Sequence, residues 1–238
     1  MGYPIEMIGK ETALFSLIGE NAIESKKDAL FNDFYKARDV DAKMMPLNIR
    51  MDDIGFFIYG FKESQIKAGY FQQEYWLRLH DLLDEMSDEA QVCGIIDTVD
   101  VKDGKNVATL TQGRATASLL KSQGKKVGLY GNTPTIKSIL HHLKAKEIVL
   151  YDETVENCME LMKLIPEGIA VDIVRVQDKT IKIDECDIFI DSGQNNKFTY
   201  HDSVKVLELT YHDSKYLNFD DIEKEIANIK TREWIENG

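Results

Sequence analysis

Small polar residues follow a predicted strand at residues 126–130 and open a predicted helix at 133–143. This loop consists of Gly131, Asn132, Thr133 and Pro134. A glycine turn between a strand and a helix lets the phosphates of a nucleotide approach the backbone at the helix N-terminus. Thr133 adds a side chain there and Pro134 removes one N–H donor, although both residues also make a regular helix start. The loop predicts a nucleotide site with weak diphosphate contacts.

Two carboxylates, Asp152 and Glu153, follow the second predicted strand of the same unit, residues 147–151. A carboxylate in this place accepts hydrogen bonds from both ribose hydroxyls, which favours an adenosine without a 2′-phosphate. A solvated acidic turn that caps the next helix through Thr154 is the alternative. A ribose contact with weak diphosphate contacts predicts S-adenosylmethionine as the cofactor, with NAD as the alternative.

Two more polar loops follow later strands, at the sheet edge where ligands of open α/β sheets bind. They contain Gln177 and Thr180, and then Asp191, Ser192 and Gly193. Glu208 interrupts an apolar strand, and buried carboxylates are rare unless they are paired or functional. We therefore predict Glu208 as a general base that acts with Thr180 through water, and Asp191 as a second candidate. A solvent-facing edge strand is the alternative for Glu208.

The predicted elements form an α/β protein with two domains. Residues 1–113 alternate helices with short strands, including predicted strands at 43–49, 55–59 and 94–100 and a helix at 75–86. Residues 114–238 alternate nearly continuous apolar strands with helices, which is typical of a parallel, Rossmann-like sheet covered on both faces. A closing amphipathic helix at 219–235 is assigned to this second domain.

Composition narrows the classes of partner. The net charge is −12, whereas nucleic-acid affinity rests largely on Lys and Arg, so we expect neither nucleic acid nor an anionic membrane as a partner. No apolar run approaches the ~20 residues of a membrane helix. Cys93, Cys158 and Cys186 lack metal-ligand spacing, and we expect buried thiols, a cytoplasmic location and a homodimer with no bound metal.

The chain resembles the shikimate dehydrogenase family from Leu17 to about Tyr211. Similar segments are Leu17 to Gly19, then Ser25 and Asn32, with Ile23 in place of one serine, and Gly94 to Val99, with Asp97 in place of an asparagine. The resemblance places the substrate beside Ser25, Asn32, Asp97, Thr111 and Gln112.

The catalytic residues of that family are not matched. Its lysine lies in a Val-Thr-x-Pro-x-Lys motif, and the corresponding segment here ends in Trp76. Its aspartate belongs to an Asn-Thr-Asp-Gly motif, and Gln112 stands in that place. Neither replacement exchanges protons near neutral pH, so shikimate oxidation by the family's mechanism is not expected.

In overall character the chain also resembles the archaeal pyridinol C-methyltransferases of iron-guanylylpyridinol, the [Fe]-hydrogenase cofactor of methanogens. This resemblance implies an S-adenosylmethionine-dependent enzyme in which a base assists attack of a pyridinol ring carbon on the sulfonium methyl. The alternatives are an NAD(P)-binding, shikimate dehydrogenase-like oxidoreductase with an altered substrate, and a catalytically inactive relative that binds a ligand.

Overall fold

The chain divides into two compact units. The computed structural model describes residues 8–177, 180–192, 198–209 and 219–236. The first unit consists of two segments, the chain up to Leu110 and the chain from Ala227 onward. The second unit is Thr111–Ile226. Within the described ranges, no helix is long and apolar enough to cross a membrane. Because the boundary at Ala227 falls within the closing helix, this helix begins in the second unit and ends in the first. The sequence analysis assigned all of it to the second domain.

A six-stranded sheet forms the centre of the first unit, in the order β2-β1-β3-β5-β6-β4. Its strands are β1 (Ala13–Gly19), β2 (Ala42–Asn48), β3 (Ile66–Phe71), β4 (Glu85–Met86), β5 (Thr98–Lys102) and β6 (Lys105–Thr109). The helices are α1 (Ala22–Ser25), α2 (Asp28–Ala37), α3 (Ile54–Phe61) and α4 (Asp88–Cys93). Strands β1, β2 and β3 are mutually parallel, and β5 returns antiparallel to β3.

Two local predictions for this unit are wrong. Residues 55–59 form part of α3 rather than a strand, with Ile54, Ile58 and Phe61 buried at helical spacing and Phe56 exposed. A short continuous apolar run does not distinguish a strand from a helix by its period. Residues 75–86, predicted as a helix, instead contain two 3₁₀ turns, Gln73–Tyr75 and His80–Leu82, before β4.

The second unit confirms the predicted Rossmann-like sheet. Five parallel strands have the order β13-β11-β7-β8-β9. They are β7 (Lys126–Tyr130), β8 (Glu147–Asp152), β9 (Ala170–Arg175), β11 (Ile188–Asp191) and β13 (Lys205–Glu208). The helices are α5 (Gln112–Leu120), α6 (Pro134–His142), α7 (Val155–Met162) and the start of α8 (Phe219–Thr231). A separate pair, β10 (Ile181–Ile183) and β12 (Phe198–Tyr200), was not predicted.

The C-terminal end of α8 belongs to the first unit, where one side chain of the helix and one of the turn that follows it are anchored. Lys230 is 1% exposed, and its ammonium donates to Thr109 Oγ1 at 3.2 Å and pairs with Glu233 at 2.9 Å. In the π-helical turn that follows, Trp234 stacks on Phe15 with ring centroids 4.7 Å apart. These aromatic and polar contacts explain why the helix changes units along its length.

The helical assignment of residues 54–61 is testable by paired substitutions. Ile58→Ala removes a buried side chain and is expected to lower the free energy of unfolding by about 2–5 kcal/mol. Phe56→Ala removes a ring that is 86% exposed, so we expect a change within about 0.5 kcal/mol. Urea unfolding followed by circular dichroism measures both. Equal losses for the two variants would contradict the helical assignment.

Candidate functional site

The parallel sheet of the second unit gathers polar side chains at one edge. The last residues of β7, β9, β11 and β13 are Tyr130, Arg175, Asp191 and Glu208. The register pairs Asp191 with Tyr130 on one side and with Glu208 on the other, and pairs Asp152 with Arg175. This edge therefore forms a row of candidate ligand contacts.

A glycine turn joins β7 to α6 at this edge. Gly131 has a φ of +93°, a conformation that L side chains rarely adopt, and an added Cβ would collide with Oγ of Ser192. The Ser192 hydroxyl donates to the Tyr130 carbonyl oxygen at 2.6 Å, so it closes the turn from β11. Both the backbone angle and the neighbouring strand end require glycine at position 131.

The rest of the predicted loop is a regular helix start. The Thr133 hydroxyl accepts from the N–H of Ile136 at 3.3 Å, and Pro134 is the first residue of α6. The amide nitrogen of Asn132 donates to Glu160 at 3.0 Å, which connects the turn to α7. The N-terminus of α6 thus faces the glycine turn with one N–H fewer than a proline-free helix.

Asp152 and Glu153 have separate roles in the structure. Asp152 is buried, and its Oδ1 accepts from the Thr154 N–H at 2.9 Å, the Thr154 hydroxyl at 3.1 Å and the Asn157 amide at 2.9 Å. These bonds start α7. The half-buried Glu153 instead accepts from the Tyr130 hydroxyl at 2.6 Å through Oε1. Of the two predicted ribose contacts, Glu153 is the carboxylate that lies beside the end of β7.

Asp191, Glu208 and Tyr200 form a second polar group. Asp191 is 6% exposed and accepts from the Tyr200 hydroxyl at 3.0 Å. Burial raises the pKa of Tyr200, and the charges of Asp191 and Glu208 raise it further. Tyr200 therefore stays protonated and donates. The structure brings together the two carboxylates predicted from sequence, and Tyr200 is a member that the sequence did not single out.

The remaining predicted residues of this unit are spread more widely. Gln177 is exposed after β9, and Thr180 is exposed directly before β10, a strand outside the five-stranded sheet. Within the described ranges Thr180 and Glu208 share no direct hydrogen bond, and their predicted action through water stays a prediction. Gly193 lies outside the described residues.

The first unit has its own polar edge, where β1, β2 and β3 end. The Glu20 N–H donates to Glu74 at 3.0 Å, and Glu20 itself accepts from the Met51 N–H at 3.2 Å. Beside them, the Asn48 amide donates to Glu24 at 3.1 Å. Sequence analysis missed these carboxylates, since Glu20 and Glu74 are far apart in the chain. Among the described residues, no three acidic, His or Cys side chains are grouped to hold a metal ion.

The predicted substrate contacts are divided between the two units. The Ser25 hydroxyl donates to the Ala22 carbonyl at 2.7 Å within its own turn. The Asn32 amide bonds both backbone groups of Met44, at 2.9 and 3.1 Å, and so fastens α2 to β2. Asp97 is fully buried and accepts from the Thr98 hydroxyl at 2.8 Å. Thr111 and Gln112 are buried at the start of α5, in the second unit.

Trp76 occupies the place where the resemblance puts a catalytic lysine. Its side chain is 7% exposed and belongs to the apolar core of the first unit. The indole N–H donates to the Phe71 carbonyl at 2.7 Å, which fixes the ring against the end of β3. The side chain at this position thus contributes to packing.

Comparison with known sequences finds dehydrogenases. No protein-family profile matches the chain. The shikimate dehydrogenase (NADP(+)) of Clostridium perfringens is 28% identical over 160 residues, covering 63% of this chain and 58% of that protein. The chain thus spans less than two thirds of this relative. The enzyme of the same name from Carboxydothermus hydrogenoformans is 22% identical over 221 residues, or 90% of this chain and 79% of the relative.

Solved structures agree with the sequence relatives. A shikimate dehydrogenase in complex with NADP+ superposes with a TM-score of 0.72 at 18% identity, covering 99% of this chain and 94% of that one. The ligand-free 5-ketofructose reductase of a Gluconobacter strain superposes with a TM-score of 0.75 at 14% identity, covering 96% of this chain and 94% of that one. At these identities the likeness establishes the fold.

The comparisons contradict the prediction of an S-adenosylmethionine-dependent pyridinol methyltransferase, since these relatives and structures are dehydrogenases and reductases. The prediction failed because a carboxylate that contacts ribose does not distinguish two cofactors that share adenosine. The predicted alternative, an oxidoreductase, agrees better with them. The chain has a shikimate dehydrogenase-like scaffold.

Proposed function

We propose that this protein is an NAD-dependent oxidoreductase that acts on a substrate other than shikimate. The observation that carries the proposal is the Glu153 carboxylate, held by Tyr130 at 2.6 Å beside the Gly131 turn. In nucleotide-binding α/β folds, this is the place from which an acidic side chain accepts the ribose hydroxyls. The dehydrogenase relatives supply the reaction class.

The residues present fit a dinucleotide. The Gly131 turn leads directly into α6, and the backbone N–H groups at the N-terminus of a helix are the usual contacts of a diphosphate. Glu153 accepts from the adenosine ribose and repels a 2′-phosphate, which favours NAD over NADP. A bound NAD would supply the chemistry of hydride exchange with a substrate carbon.

Proton transfer is assigned to the polar group at the ends of β11 and β13. Oxidation of an alcohol requires a base for the hydroxyl proton, and a positioned carboxylate serves this purpose. Glu208 accepts that proton at its carboxylate, while Asp191 is held by the Tyr200 hydroxyl at 3.0 Å. In the reductive direction the same proton returns from Glu208 to the carbonyl oxygen.

The substrate is proposed to be a small neutral hydroxy or carbonyl compound. Trp76 uses its only donor in the bond to Phe71, and Gln112 does not titrate, so the lysine and aspartate of the shikimate mechanism have no equivalent at these two positions. Within the first unit, the carboxylates of Glu20 and Glu74 make the polar edge negative, which disfavours an anionic ligand there. A neutral hydroxy compound carries hydroxyl groups that donate hydrogen bonds to a carboxylate.

Calorimetric titration of the purified protein with NAD, NADP and S-adenosylhomocysteine tests the cofactor. We expect NAD to bind at least about ten-fold more tightly than NADP. Repulsion between the 2′-phosphate of NADP and the carboxylate of Glu153 costs roughly 1–2 kcal/mol in a partly solvated site. S-adenosylhomocysteine serves as the comparison ligand without a diphosphate. Failure of both dinucleotides to bind would overturn the proposal.

Glu208→Gln and Asp191→Asn test the proton-transfer assignment. A screen of neutral alcohols and of shikimate, read by NADH fluorescence, first identifies a substrate. Because general base catalysis contributes about 10²–10⁴-fold, we expect Glu208→Gln to lower kcat by that factor with little change in NAD affinity. Asp191→Asn is expected to lower kcat less, and the exposed control Glu167→Gln to leave it unchanged. Full activity of Glu208→Gln would contradict the assignment.

A further inference from the structure

We propose that the outer edge of the second unit's parallel sheet, where α7 lies beside β9, is the interface of a two-fold symmetric dimer of this chain. The partner that fits this surface is a second copy of the same surface. The inference goes beyond the proposed function and does not depend on it, because a strand edge and a helix flank outside the proposed chemistry carry the interface.

A backbone edge is open on the outer side of β9. Within the described ranges, β9 is the last strand of its sheet and pairs only with β8. The Val176 N–H, which follows the strand, donates to the Asp152 carbonyl oxygen of β8 at 2.8 Å. Because the hydrogen-bonding groups of successive residues in a strand point to opposite sides, those of Ile173 point outward. Such a row of outward donors and acceptors pairs readily with another strand.

An apolar stripe, formed by three residues, runs along one flank of α7. Val155, Met159 and Met162 are 39%, 57% and 42% exposed, and they occupy the i, i+4 and i+7 positions of the helix. The other flank carries Glu160, whose carboxylate accepts from the side-chain amide of Asn132, the second residue after β7. Since β7 and β9 lie on opposite sides of β8, the stripe faces the β9 edge.

Ile173 joins this stripe to the strand edge. The next residue, Val174, packs against a buried apolar cluster on one face of the sheet, to which α7 contributes none of the described residues. Ile173 therefore points to the face that α7 covers, where it is 36% exposed. Its register partner Leu150 accepts from the Cys158 thiol through the carbonyl oxygen, at 3.8 Å. Met159, which follows Cys158, is thus level with Ile173 along the sheet.

A second copy of this surface satisfies the strand edge and the stripe together. A two-fold axis perpendicular to the sheet, beside Ile173, places β9 antiparallel to its copy. In this register the two Ile173 residues exchange two backbone hydrogen bonds, and Val171 faces the second copy's Arg175. Because Met159 is level with Ile173, the same axis brings the two stripes into contact.

The spacing of the two helices agrees with this axis. The helix α7 contacts both β8 and β9. With strands about 4.8 Å apart, a helix above these two strands lies about 5 Å from an axis that runs midway between β9 and its copy. The two helices are then about 10 Å apart, which matches the ~8–10 Å of packed helices. Strand pairing and helix packing are therefore compatible with one dimer.

The charges beside the stripe are complementary across the axis. Glu156 and Lys163 each follow a residue of the stripe, and both are exposed. Antiparallel helices bring Glu156 of one copy toward Lys163 of the other, and the symmetry makes this pair twice. The register centred on Ile173 also places Asp172 opposite Val174 of the second copy, so the two Asp172 carboxylates do not face each other.

Sedimentation equilibrium of the purified full chain tests the interface. We expect a dimer at micromolar protein concentration. Met159→Glu places two like charges at the axis and is expected to raise the dissociation constant of the dimer at least about 100-fold. Val92→Glu changes an apolar residue of similar exposure, 48%, in the first unit and is expected to leave the constant unchanged.

Charge reversal tests the antiparallel arrangement of the helices. Glu156→Lys and Lys163→Glu each place like charges across the axis and are expected to raise the dissociation constant about three- to ten-fold. The double variant exchanges the two charges and is expected to restore the parent value. Both residues are exposed, so these variants test the interface even where Met159→Glu fails to fold, which thermal unfolding reveals.

Amide hydrogen exchange tests the strand pairing. The Ile173 N–H is expected to be protected in the parent dimer and to exchange rapidly in Met159→Glu, because it points away from β8. Rapid exchange of this N–H in the parent overturns the pairing of the strands. A monomeric parent, a dimer that Met159→Glu leaves intact, or a double charge reversal that restores nothing overturns the inference, whereas the proposed function stands or falls on dinucleotide binding.

Discussion

Parallel pairing of β7, β8, β9, β11 and β13 is the constraint on which the candidate site depends. In a parallel sheet all the carboxyl ends lie at one edge, so residues from distant parts of the chain meet there. Tyr130, Arg175, Asp191 and Glu208 each end a strand of this sheet. Because Ser192 lies so close to Gly131, no residue with a side chain fits at position 131, in the turn at the centre of this edge.

The order of the strands separates two kinds of chemistry. Glu153 follows β8, while Asp191 and Glu208 end β11 and β13, on the other side of β7. With strands about 4.8 Å apart, β13 lies roughly 14 Å from β8. The proposed adenosine contact and the proposed proton-transfer group are therefore at different places along one edge. This arrangement suits an extended dinucleotide better than a compact ligand.

The sequence was sufficient for features that depend on local pattern. Apolar strands alternating with helices predicted the Rossmann-like sheet, and a glycine after β7 predicted the turn at Gly131. It was insufficient where a short apolar run had no clear period, as in α3. It also did not separate Asp152 from Glu153, because adjacent carboxylates acquire different roles only through their partners, Thr154 and Tyr130.

Contacts between distant residues account for what was missed. Tyr130 and Glu153 come from neighbouring strands, Tyr200 reaches Asp191 from a separate small sheet, and Glu20 meets Glu74 across the first unit. Each tyrosine looks like an ordinary core residue in the sequence, since its ring is largely buried and only its hydroxyl reaches the site. A tyrosine at the last position of β7, the strand before the glycine turn, is the signal that would have pointed to Tyr130.

A crystal structure of the protein grown with NAD tests the central claim most directly. The account predicts density for the adenosine ribose at the end of β8, with its hydroxyls donating to Glu153 while Tyr130 keeps its bond to the same carboxylate. A ribose bound through Arg175 and turned away from Glu153, or a dinucleotide bound away from this sheet edge, would contradict it.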